Sequence, residues 1–165
     1  DVSAEMVKLA EAAGVNCVRQ GDLLECLRER RASSVDVIFL MDVLEHMTRP
    51  EQFELMEQAH RVLAPSGRVV LHVPNAAGWF GMRVRYSDLT HEAAFTPTSL
   101  RQLAIATGFA SIQCFEDTPV VHGVKSGLRW VVWHVSTVLP RIALAAETGT
   151  LRHILSQNMT ALVWK

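Results

Sequence analysis

Apolar residues along this chain recur with two periods, and the switching between them predicts the architecture. After Ser3, the positions Met6, Val7, Leu9, Ala10 and Ala13 share helical spacing as far as Gly14. A hydroxyl that can cap and a glycine that can stop frame this first helix. Residues 15–19 read as a short strand closed by Gly21-Asp22, and residues 23–31 as a helix whose basic end suits its negative dipole pole. Residues 35–41, VDVIFLM, are almost wholly apolar and rich in β-branched side chains. That is the pattern of a parallel strand buried on both faces.

Residues 50–63 return to helical spacing, with Phe53, Met56, Ala59, His60 and Leu63 on one side and Pro50 in the first turn. Pro65-Ser66-Gly67 is a turn, and residues 68–73 form a strand ended by Pro74-Asn75. Residues 76–96 have no period, carry Gly78 and Gly81, and read as an active-site loop or lid. A helix over 98–107, capped by Thr96 or Thr98, stops at Gly108 and leads into a strand over 109–115. A helix with a break at Pro140 is expected over 124–144, and a last strand over 159–164. The order α β α β α β loop α β α β argues one domain built on a doubly wound α/β sheet with helices on both faces.

Composition narrows the class. Apolar residues make up 49 % of the chain, enough for a sizeable core. The formal charge is −1 with no Lys/Arg block, which argues against a nucleic-acid partner. Cys17, Cys26 and Cys114 form no C-x-x-C pair and are expected as buried, reduced thiols. The most apolar window, residues 128–146, is interrupted by Arg129, His134, Pro140 and Arg141. It falls short of the roughly 20 apolar residues of a spanning helix, although peripheral membrane contact stays open. A cytoplasmic location is expected. The chain opens on Asp1 directly into a helix pattern, with no leader before it, and is read as N-terminally truncated.

Three acidic turns follow predicted strand ends: Asp1, Gly21-Asp22 and Asp42. In an open α/β sheet, ligands bind beyond the carboxyl ends of the strands. A carboxylate there can accept both hydroxyls of a ribose, and its neighbour an exocyclic amine. Equally, each can be an ordinary helix cap or turn residue.

The segments DVSAEM, QGDLL, VDVIFLMDVLEHM, AHRVLAPSGRVVLHVPN and FTPTSLRQLAIATGF carry a resemblance. Together they resemble the class I S-adenosylmethionine-dependent methyltransferases of the broad UbiE-like and type 11/12 group, from Asp1 to about Phe115. The resemblance implies a Rossmann-like doubly wound methyltransferase sheet, here missing its first strand and most of its second. It implies S-adenosylmethionine as cofactor and a small-molecule acceptor. Asp1 and Val2 match the residues closing the second strand, at the cofactor's ribose. Gly21, Asp22 and Leu23 match the turn that meets adenine, and Met41 and Asp42 line the cleft after the fourth strand. Asn75 and His91 match acceptor-side positions. Residues 1–75 would then form the cofactor-side half and 76–165 the acceptor side. The family's glycine-rich first strand would lie upstream of Asp1, so the chain alone is expected to bind the cofactor poorly.

Methyl transfer from a sulfonium is an in-line displacement that needs alignment above all. A base is needed only for a hydroxyl or a protonated amine, and His91 and His46 are the candidates for catalysis. Structural roles remain open for both. His60, His72, His134 and His153 fall inside patterned elements and read as packing or surface residues. No histidine pair has metal-ligand spacing, so no metal is expected. Trp79, Phe80, Trp130 and Trp133 read either as an acceptor wall or as core aromatics. Arg83, Arg85 and Arg129 could meet an anionic acceptor or simply be solvated. The acceptor suggested by the weakly matching tail is a glycan, lipid-linked or secondary-metabolite precursor, methylated on oxygen. A non-catalytic relic or binding module, its sheet completed by a partner, is the competing reading. A nicotinamide dehydrogenase would need a glycine fingerprint that this chain does not offer.

Overall fold

A computed structural model describes residues 3–165; Asp1 and Val2 lie outside the described residues. Helices α1 (Ala4–Ala12) and α2 (Leu23–Glu29) precede strand β1 (Val35–Met41), which a short 3-10 turn (Leu44–His46) joins to α3 (Arg49–Val62). There follow β2 (Leu63–Pro74), α4 (Gly81–Arg85), α5 (Pro97–Ala106), β3 (Ser111–Glu116), α6 (Val124–Ser136), α7 (Val138–Thr148) and β4 (Asn158–Trp164). The strands form one sheet in the order β1-β2-β4-β3. β1 and β2 are parallel, and β4 runs antiparallel to both its neighbours.

Alternation along the strands sets the core. Val69, Leu71 and Val73 of β2 stand in register with Val163, Ala161 and Met159 of β4. All six are fully buried. Beneath them lie Leu55, Met56, Ala59 and Val62 of α3, also fully buried. Each large apolar side chain hidden this way contributes about 2 kcal/mol. The opposite parity puts His72 and Thr160, themselves register partners, on the other face.

Ends of helices follow the chemistry expected of them. Ser3 caps α1 by accepting from the Met6 N–H, and Thr96 caps α5 by accepting from Ser99 N–H. Thr48 and Glu51 form a capping box at the start of α3.

Several local expectations are corrected. Residues 15–19 form turn and extended coil, because a strand needs a hydrogen-bonded neighbour and no described strand lies beside them. β1 is not buried on both faces: Leu40 is covered, but Phe39 and Met41 stay 67 % and 50 % exposed. Among the described residues β1 is an edge strand of the sheet, and its second face lacks a covering layer. The break in the late helical segment falls at Thr137, between α6 and α7, rather than at Pro140. Pro140 lies in the first turn of α7, where no intrahelical N–H bond is lost. Cys17 is exposed and Cys26 and Cys114 are only half-buried, since two of them lie outside the strand core. Among the described residues no helix is long and apolar enough to cross a membrane.

Candidate active site at the strand tips

Beyond the carboxyl end of β1 opens a cleft of about 710 Å³, lined by Gly21, Asp22, Leu23, Asp42, Val43, His46 and Met47 among others. The fold thus brings five of the residues expected at the site, Gly21, Asp22, Leu23, Asp42 and His46, to one cavity. Met41 ends the strand beside it, half exposed. Its volume suits a nucleoside-sized ligand.

Asp22 is the helix cap that its sequence position allowed, and it also lines the cleft. As the N-cap of α2, its Oδ1 accepts from Glu25 N–H at 3.0 Å. A carboxylate has acceptor capacity beyond that one bond. Asp42 adopts a left-handed backbone with φ of 54°. A non-glycine residue pays for that conformation in strain, which concentrates at binding sites. The twist turns its carboxylate toward β2, where Oδ1 meets His72 Nδ1 at 2.6 Å.

His72 proves to be more than a packing residue. Its Nε2 meets Asp117 Oδ2 at 2.7 Å, and Asp117 Oδ1 accepts from Thr160 Oγ1 at 2.9 Å. The imidazole therefore bridges carboxylates from the ends of β1 and β3. Burial pulls its pKa down, but the hydrogen bonds to Asp42 and Asp117 outweigh it, and the net shift is upward. The period-two pattern assigned His72 to the face away from the core. What it left out was the pair of acids converging there from distant turns.

A second constellation adjoins the cleft. Gln52 of α3 donates to the carbonyls of Leu44 and Met47, at 3.2 and 2.8 Å, and so pins the 3-10 turn at both ends. The Glu45 carbonyl accepts from the N–H groups of Glu92 and Ala93, at 2.7 and 3.1 Å. These bonds dock the long loop on the turn and bring His91 to His46, their rings 4.7 Å apart. Glu45 is 1 % exposed, and its Oε2 has no hydrogen-bond partner. Burial pushes its carboxyl above the ordinary carboxylate range. Glu45, His46 and His91 each offer a ligand atom, all within 4.8 Å of one another. Linear spacing could not reveal this set, because His91 arrives from a separate loop.

Asn75 is corrected from acceptor-side to structural. It is fully buried, its Nδ2 donates to the carbonyls of Ile154 and Ser156 at 2.9 Å, and its Oδ1 accepts from Ala77 N–H. It knots the loop to the approach of β4. The same knot requires Gly81, where a Cβ would lie 1.7 Å from the Asn75 carbonyl oxygen.

A smaller cleft of about 410 Å³ is lined by Val84, Asp117, Arg129, Trp133 and Asn158 among others. Trp133 Nε1 and Asn158 Oδ1 are both buried without partners. Trp79, Phe80 and Trp130 are 41–52 % exposed and do not belong to the core. Two links join this cleft to the larger one. Asp42–His72–Asp117 spans the sheet, and His91 Nδ1 meets the Val84 carbonyl at 3.1 Å.

The carboxylate-lined cleft lies at the carboxyl end of the parallel β1–β2 pair, where open α/β sheets bind their ligands. The lining is compatible with S-adenosylmethionine, since Asp22 and Asp42 offer carboxylates and Leu23, Val43 and Met47 apolar surface. Over residues 1–113 the chain matches the methyltransferase domain family, and it belongs to that family. No curated protein matches it by sequence. A SAM-dependent methyltransferase from Archaeoglobus fulgidus shares the fold with a TM-score of 0.71 and 19 % identity, over 100 % of this chain and 74 % of that one. A possible histamine N-methyltransferase from Thermotoga maritima aligns with a TM-score of 0.64 and 14 % identity, over 100 % and 71 %. A phosphoethanolamine N-methyltransferase from Haemonchus contortus, in complex with S-adenosylhomocysteine, aligns with a TM-score of 0.56 and 17 % identity, over 99 % and 41 %. The chain is a class I S-adenosylmethionine-dependent methyltransferase domain with the Rossmann-like α/β fold.

Proposed function

We propose that this domain methylates a hydroxyl oxygen of a small, hydroxylated acceptor of the glycan-precursor type. S-adenosylmethionine supplies a methyl group activated by its cationic sulfur. Asp22, in the turn with Gly21, takes the adenine amine with Leu23 against the ring, and Met41 and Asp42 line the cleft near the methionine moiety and the acceptor. The family resemblance assigns Asp1 and Val2, which lie outside the described residues, to the same cofactor.

The observation that carries the acceptor assignment is the pair of buried, unpartnered polar atoms in the smaller cleft. Trp133 Nε1 can only donate and Asn158 Oδ1 can only accept. Each lacks a bond worth about 1–3 kcal/mol, which a ligand bearing hydroxyls would restore. Arg129 on the same wall favours an anionic group on that ligand. His46, which lines the larger cleft, and His91 beside it are assigned to activating the hydroxyl. A neutral hydroxyl, unlike a free amine, needs that help.

The test is transfer of labelled methyl from S-adenosylmethionine to a panel of sugar phosphates, nucleotide sugars and primary amines. Products stable to alkali and bearing O-methyl groups are expected from the sugar acceptors, with Arg129→Gln raising KM for the anionic ones. Transfer to amines alone would overturn the assignment.

A further inference from the structure

We propose that Glu45, His46 and His91 form a binding site for a divalent transition-metal ion. The hydrogen bonds around the two rings determine their tautomers. Thr90 Oγ1 donates its single proton to Asp88 Oδ1 at 2.7 Å, so toward His46 Nδ1, 2.9 Å away, it can only accept. His46 Nδ1 therefore carries the proton and Nε2 a bare lone pair. His91 Nδ1 faces the Val84 carbonyl, which also only accepts, with the same consequence. Metal-binding histidines are held this way, one nitrogen donating to an oxygen behind it and the other left for the ion.

The third member is a carboxylate with no partner for Oε2, in a residue 1 % exposed. Glu45, His46 and His91 thus each offer a ligand atom within 4.8 Å of one another. A buried polar oxygen left without a partner is costly, and a bound cation would supply one. The cluster is also held in place beforehand: Gln52 clamps the turn that carries Glu45 and His46, and the Glu45 carbonyl anchors the loop that carries His91. Two imidazoles and one carboxylate suit zinc, cobalt or iron(II) better than magnesium or calcium, which prefer all-oxygen shells.

Three protein ligands leave positions open on the ion. In the O-methylation reading above, on which this role alone rests, the acceptor hydroxyl takes one of them. Coordination lowers its pKa. The O–H bond breaks, its electron pair stays on oxygen, and the proton passes to solvent water. The ion site itself stands without that reading.

The experiment is a titration of the chelator-treated, full-length protein with Co²⁺, followed by its visible absorption, and with Zn²⁺ by calorimetry. Saturation at one ion per chain is expected, with cobalt bands of a nitrogen-ligated, low-coordinate site. Glu45→Gln and His91→Gln should each weaken binding at least about tenfold, and Thr90→Val, which removes a tautomer lock, by about tenfold. His134→Gln, on the distant helix α6, should change nothing. Circular dichroism reports folding. Should Glu45→Gln fail to fold, His91→Gln and Thr90→Val, on the surface loop, carry the test. Absence of saturable Co²⁺ binding, or equal affinity in these loop variants, overturns the site while leaving the acceptor assignment standing. Methyl transfer to amines alone would do the reverse.

Discussion

Asp22 is both a helix cap and a cofactor ligand in this account, and one substitution separates the two roles. Its Oδ1 accepts from Glu25 N–H at 3.0 Å, a cap whose removal costs about 1 kcal/mol. Serine caps as well as aspartate, so Asp22→Ser should leave stability within about 0.5 kcal/mol of the parent. The serine hydroxyl is shorter and uncharged, however, and cannot replace a charge-assisted bond to a nucleoside. Such a bond is worth about 1.5–3 kcal/mol, or roughly 10- to 150-fold in affinity. Asp22→Ala should lose both, about 1 kcal/mol of stability and the same affinity. The assay is calorimetry with S-adenosylhomocysteine on the full-length protein, beside urea unfolding of each variant. If Asp22→Ser binds S-adenosylhomocysteine as tightly as the parent, the carboxylate is only a cap and the assignment of the cleft's nucleoside end is wrong.

Other perturbations probe the supports of the site. His72 has a raised pKa in the folded protein, from its bonds to Asp42 and Asp117. Its stabilising contribution is therefore complete below the unfolded value of about 6.5 and is lost as pH rises through the higher folded value. Subtracting the stability of His72→Gln from that of the parent across this range should give a falling curve; a flat difference would show that the bridge is not charged. Asn75→Ala removes three hydrogen bonds in a fully buried site and should cost about 2–4 kcal/mol, read from the urea midpoint. A loss below about 1 kcal/mol would contradict the structural role given to it. Gly81→Ala places a methyl 1.7 Å from the Asn75 carbonyl oxygen and should displace the loop, measured as faster proteolysis between β2 and α5. Unchanged cleavage would show the contact to be slack.

Much of this protein was legible in its sequence, because the signals were local. Helices α1, α3 and α5 announced themselves through spacing and through Ser3, the Pro50 turn and Thr96. The strands β1 and β2 and the acidic residues that follow or flank them stood out by hydrophobic runs and by resemblance to a known family. What only the tertiary structure decided was pairing. Among the described residues, 15–19 have strand composition but no strand beside them, and β1 has the composition of a central strand but lies at an edge of the sheet. His72 looked like one more patterned histidine until register set Asp42 and Asp117 on either side of it. Glu45 and His46 had no metal spacing until a loop folded back and delivered His91. Periodicity and capping depend on residues within a turn or two of each other, so the chain displays them directly. A side chain's pKa, its missing partner or its fellow ligand depends on which distant segment lands beside it, and that is settled only when the whole core closes.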